Sequence, residues 1–149
     1  MDNIGQLVIR LLKAHRTTIA DRLSELNLYP GQDGLLYHLS RNDGLTMTEL
    51  VEKLKIKHPT LFTMVERMES AGLIKKDKDK CDKRTSRVFL TNKGKKQVSE
   101  LSQIWHDIEK QLLKGFNKEE INTTKTVLGK LINNLDDEQH KSLQSSIGV

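Results

Sequence analysis

Residues 75–87 carry seven positive side chains, Lys75, Lys76, Lys78, Lys80, Lys83, Arg84 and Arg87, against three carboxylates, Asp77, Asp79 and Asp82. That local excess of cation suits a polyanion, because Lys and Arg displace condensed counterions from a phosphate backbone. A hairpin with such a charge can lay its tip along the minor groove of a duplex, where the potential is most negative. For Lys78 and Lys80, a solvated charge run is the plainer reading. Just upstream, Thr60, Thr63, Glu66 and Arg67 recur on one side of a segment whose other side is Leu61, Met64, Val65 and Met68. Threonine offers a short donor, an acceptor and a methyl to base edges or phosphate, and arginine offers a fork to phosphate.

Other chemistries find little support. There is no Gly-x-x-x-x-Gly-Lys loop, nucleophile elbow or His-Glu-x-x-His pair, and the carboxylates are scattered, so an enzyme is not expected. The five histidines (15, 38, 58, 106, 140) include no pair at i,i+4, and the lone Cys81 has no ligand spacing around it, so neither metal nor cofactor is expected. Cys81 lies beside Lys80, Lys83 and Arg84, company that can activate a thiol, but an incidental exposed thiol is the favoured reading. One cysteine forms no intrachain disulfide, which suits a reducing cytosol. Met1-Asp2-Asn3-Ile4 does not open a secretory signal, and no apolar run approaches the roughly 18 residues of a membrane span. A cytoplasmic protein without membrane contact is expected. The net charge of +5 agrees with a nucleic-acid partner.

The elements that must hold these residues follow from periodicity. Ile4, Leu7, Val8, Leu11, Leu12, Ile19, Leu23 and Leu26 predict a long amphipathic helix ending near Asn27. Pro30 suits the first turn of a second helix with Leu35, Leu36 and Leu39. Thr46 with Glu49 predicts a capping box, stapled by Leu45 and Leu50, for a third helix that breaks at Lys55-Ile56-Lys57. Pro59 opens a fourth helix, stopped by Gly72 with Leu73 closing on Met68. Residues 46–72 therefore read as a helix-turn-helix. Residues 73–76 are short enough for a strand and residues 85–90 are rich in β-formers, and together they predict a hairpin, the wing. Thr91 caps a helix with Val98, Leu101, Ile104, Trp105, Ile108 and Leu112 on one face. Asn117 and Glu120 box the last, whose stripe runs through Leu128, Ile132 and Leu135.

The segment Asp82-Lys83-Arg84-Thr85-Ser86-Arg87-Val88-Phe89-Leu90-Thr91-Asn92-Lys93-Gly94 resembles the wing signature of the MarR-type regulators, an Asp-x-Arg tip and then Leu-Thr before a glycine. Val65-Glu66-Arg67-Met68-Glu69-Ser70-Ala71-Gly72-Leu73-Ile74 is similar to the exit of that family's recognition helix. The resemblance implies a mainly α fold: a winged helix-turn-helix flanked by terminal dimerisation helices. It implies one domain over 1–149, with a DNA-binding lobe at 30–92, dimerisation helices at 1–28 and 93–136, and a tail at 137–149. Arg84 would enter the minor groove, oriented by Asp82. Thr60 and Thr63 would face DNA, with His58 and Pro59 at the helix entry, and Arg67, Lys80, Lys83 and Arg87 complete the DNA-binding set. The chain departs from many members at Phe62 and Thr63; packing of Phe62 against the neighbouring helix is favoured over contact with a thymine methyl.

The expected function is a homodimeric, sequence-specific regulator of transcription, a repressor more often than an activator, reading a pseudo-palindromic site in double-stranded DNA. A small aromatic effector between the dimerisation helices and the lobe would meet His15, Tyr37, His38, Trp105 and His106. The alternative is a winged-helix protein-interaction module without specific DNA binding.

Overall fold

The computed structural model describes residues 3–147, with side chains through residue 139. Nine elements follow one another: α1 (Ile4–Ser24), α2 (Gln32–Arg41), β1 (Leu45–Thr46), α3 (Met47–Leu54), α4 (His58–Ser70), β2 (Ile74–Lys78), β3 (Ser86–Leu90), α5 (Asn92–Leu112) and α6 (Lys118–Ile147). The fold is mainly α with a small antiparallel sheet, a winged helix-turn-helix as expected. Residues 1–108 form one compact unit and residues 109–149 another, with the division inside α5.

The core of the first unit joins Leu23 of α1, Leu35, Leu36 and Leu39 of α2, Leu50 of α3, Leu61, Val65 and Met68 of α4, Ile74 and Val88 of the sheet and Leu101 of α5, none more than 1% exposed. Burying a Leu or Ile side chain is worth roughly 1.5–3 kcal/mol, so this cluster dominates the stability of the lobe. The strands lie in the order β1-β3-β2. β1 was not foreseen. Leu45 pairs with Val88 and Thr46 with Arg87, but two residues are too few to show a period. Gly44 leads into β1 with φ near 80°, and an added Cβ would approach Phe89 Cε1 to 2.7 Å, so a side chain there would be strained and would displace the Phe89 ring.

Local signals at the helix ends mostly hold. The Thr46 box closes with both bonds, Glu49 N–H to Thr46 Oγ1 at 3.1 Å and Thr46 N–H to Glu49 Oε2 at 2.8 Å. The Asn117 box of the second unit closes likewise. An Asn3–Gln6 box also starts α1, a pairing the apolar stripe did not single out. Pro30 is displaced from its expected place: Gly31 at φ 99° is the N-cap of α2, leaving Pro30 in the preceding turn. α1 ends at Ser24, with Asn27 in the left-handed region of the turn that follows.

α6 continues to Ile147, past the end of its apolar stripe at Leu135. The side chains of the expected tail from residue 140 on, His140 included, lie outside the described residues. Among the described residues no helix is long and apolar enough to cross a membrane.

Candidate nucleic-acid interface

Lys55, in the left-handed region at φ 55°, ends α3 and lets the chain turn into α4. Lys57 is the N-cap of α4, and Pro59 sits in the first turn, where its missing N–H has no partner to lose. With Leu61, Val65 and Met68 buried and Met64 packed against the same core, His58, Pro59, Thr60, Thr63, Glu66 and Arg67 are left exposed. The Thr63 hydroxyl donates back to the Pro59 carbonyl at 3.1 Å, and the side chain is exposed. Thr60, Thr63 and Arg67 share an open cleft of about 450 Å³ with Tyr29 and Gln32. The exit of α4 is a Schellman closure: Leu73 N–H reaches the Met68 carbonyl at 3.0 Å and Gly72 N–H the Glu69 carbonyl at 2.9 Å.

The wing hangs from β2 and β3, paired from Ile74–Leu90 to Lys78–Ser86. Its tip is built on two aspartates. The Asp79 carboxylate accepts from the Cys81 N–H at 2.7 Å and the Asp82 N–H at 3.3 Å. Asp82 in turn accepts from the Arg84 N–H at 3.0 Å and from Arg84 Nε at 3.4 Å. The Arg84 side chain is 94% exposed, so the loop presents a cation while holding its base. Lys80, Cys81 and Lys83 are exposed beside it.

Arg87 behaves otherwise. Its Nε donates to Asp79 Oδ2 at 2.5 Å and its Nη1 to the Gly44 carbonyl at 2.8 Å. Asp79 is held below the usual carboxylate range, first by the Cys81 N–H, then by Arg87 and the Asp82 N–H. Arg87 is pushed up by Asp79. Arg87 thus staples the wing base to the loop before β1. The charge count hid this role, and it also hid Asp79, whose signal was an Asp beside turn residues able to bond the backbone two positions on.

Wing and helix meet at Lys76. Its N–H donates to Glu69 Oε2 at 3.0 Å, and its Nζ lies 5.3 Å from the centre of the Phe62 ring. Phe62 is 50% exposed and outside the core. It does not pack into the neighbouring helix as expected, because Leu61, one residue earlier, takes the inward position.

Thr91 closes the lobe. Its hydroxyl donates to the Gly72 carbonyl and accepts from Gly94 N–H, so it caps α5. A Cβ on Gly94 would fall 2.0 Å from the Leu73 carbonyl oxygen, which explains the glycine of the Leu-Thr-x-x-Gly run by contact alone.

The sequence model of the MarR family matches residues 30–85. A Listeria monocytogenes MarR family transcriptional regulator, solved in complex with a 26mer DNA, is 29% identical, with a TM-score of 0.84 over 93% of this chain and 92% of its own. The MarR protein of Peptoclostridium difficile is 26% identical, with a TM-score of 0.86 over 94% and 92%. This chain is therefore similar to the MarR family in sequence over residues 30–85 and in fold over most of its length. Bordetella bronchiseptica BpsR, whose DNA binding is regulated by 6-hydroxynicotinic acid, shares the fold at 22% identity and a TM-score of 0.78, over 87% of this chain and 98% of its own.

Of the five residues expected to meet an effector, the fold brings three together. The Tyr37 ring stands edge-on to His38, with centroids 5.3 Å apart, and to Trp105, at 5.5 Å. Burial, then the Lys53 charge, lowers the His38 pKa. His15 lies on an exposed stretch of α1 and His106 on the outer face of α5. Among the described residues no ring contact joins either to the trio, and no group of three His, Cys, Asp or Glu gathers as a metal site.

Proposed function

We propose that this chain is a MarR-type homodimeric regulator, most simply a repressor, that reads a pseudo-palindromic site in double-stranded DNA. The observation that carries the reading is one charged surface. The outward face of α4, with His58, Pro59, Thr60, Thr63 and Arg67, stands next to a wing whose Arg84 is almost wholly solvated yet based on Asp82. α4 has the dimensions for the major groove. Arg84 would enter the minor groove beyond it, with Lys80 and Lys83 on flanking phosphates. Arg87 serves by setting the wing. The DNA-bound Listeria relative supports the reading.

Apolar surface left bare supports the dimer. Residues 3–17 of α1 are exposed all round, including Ile4, Leu7, Val8, Ile9, Leu11 and Leu12. A helix that long is marginal in water without a partner face. The second unit by itself exposes Val127, Leu128, Ile132 and Leu135. A second copy would cover both stripes and set two recognition helices about one DNA turn apart. The Tyr37–His38–Trp105 group is the first place to look for a small aromatic effector that releases DNA, with His15 and His106 as secondary candidates, and the ligand response of BpsR supports that search.

The deciding experiment titrates the full chain and Arg84→Ala against duplexes recovered from a genomic-fragment selection. The variant is expected to bind about tenfold more weakly on all of them, with its salt slope reduced by about 1. Equal binding by both proteins removes the wing from the interface. A selection that enriches no site moves the chain to a protein-interaction role.

A further inference from the structure

α4 carries one side chain that neither its core nor its charge explains. Successive helical residues are rotated by about 100°, so Phe62 lies a quarter-turn from the buried Leu61–Val65–Met68 stripe, on the flank toward the wing. A half-exposed phenyl ring next to outward-facing Thr63 is an apolar surface on an otherwise polar face. It is also held in place. The Glu69 carboxylate fixes the backbone of Lys76, and the Lys76 ammonium rests over the ring at 5.3 Å. That ammonium has no carboxylate partner among the described residues. Its charge therefore attracts the ring face and stays available to a phosphate.

We propose that Phe62 sets base preference by receiving the C5 methyl group of thymine in the major groove of each half-site, with Lys76 orienting the ring. This rests on the DNA-binding reading above and adds to it which base is chosen and by which residue. A phenyl ring offers no hydrogen bond, so it cannot satisfy the exposed donors and acceptors of guanine, cytosine or adenine. Thymine alone among the four bases presents an apolar group on that edge. Because Lys76 already restrains the ring, little side-chain freedom is lost when the contact forms.

The test uses the full chain and the duplex it enriches from a randomised library. Each thymine of that duplex is replaced in turn by deoxyuridine, which removes the methyl and leaves every hydrogen bond. Wild type is expected to bind about fourfold more weakly at one thymine, or two adjacent thymines, per half-site. Phe62→Ala is expected to bind the dT and dU duplexes equally there, with a helical circular dichroism signal like that of wild type, whereas Phe62→Leu keeps part of the discrimination. The inference is overturned if wild type binds the duplex and ignores every dU replacement, or if Phe62→Ala discriminates as wild type does. Those outcomes leave DNA binding standing; a wild-type chain that binds no duplex at all sinks both.

Discussion

The lobe between α2 and the start of α5 and the outer helices are built to different specifications. Within the lobe every element buries a side chain in a common core, and its sheet is tied to the loop before β1 through Gly44 and to the start of α5 through Thr91. In contrast, α1 has no buried residue before Leu23, and no described residue after Ile108 is buried. Both regions obey the same rule, that an apolar stripe must be covered. The lobe satisfies it within one chain, and for the outer helices the proposed dimer would supply the cover. If the proposed dimer forms, the stability of each lobe is separable from the assembly that spaces two of them.

The largest effect should come from breaking the open side. Leu7→Asp or Ile132→Asp places a charge in an exposed stripe, and sedimentation velocity should show monomers in place of dimers. Operator affinity should fall by about 100-fold or more, because the second head loses its effective concentration. A dimer that survives both changes would overturn the contrast. A smaller effect should come from the closed side. Leu50→Ala empties a wholly buried site in α3 and should lower unfolding free energy by roughly 2–5 kcal/mol in urea titrations. The sedimentation of its folded form should not change.

The smallest effect sharpens the contrast within the lobe. Asp79 has a folded pKa depressed below its ordinary 3.8. Its contribution is therefore complete above that value and is lost only as pH falls through the lower folded value. Wing order, followed by limited proteolysis near Lys80 and Lys83, should stay constant from neutral pH down to the ordinary carboxylate range and decline below it. Asp79→Asn should show the loosened wing already at neutral pH, with the helices unaffected.

Several of these features could be read from the chain, and the reason is locality. The boxes at Thr46 and Asn117 and the Gly72 stop involve residues within five positions of one another, so composition and spacing reveal them. The Asp82–Arg84 pair spans two positions and was equally legible. β1 was not, since its only evidence is a partner strand more than forty residues away. Nor was the division of labour between the wing arginines, because a charge count cannot tell Arg84, left in solvent, from Arg87, fastened to Asp79 and Gly44. Phe62 was placed wrongly for a related reason. Its hydrophobicity argued for packing, while the helix phase, set by the deeper Leu61, turned it outward.

By itself the sequence determined which segments are helical, where α3, α4 and α6 begin and that a cationic hairpin follows a helix-turn-helix, because those depend on backbone bonds and side-chain periods within a few residues. Tertiary structure alone decided which cations are free to meet a partner, that a glycine is required where Gly94 meets Leu73, and which apolar stripes stay uncovered. Each of these depends on what the fold brings alongside a residue from far along the chain, and no local pattern records that neighbour.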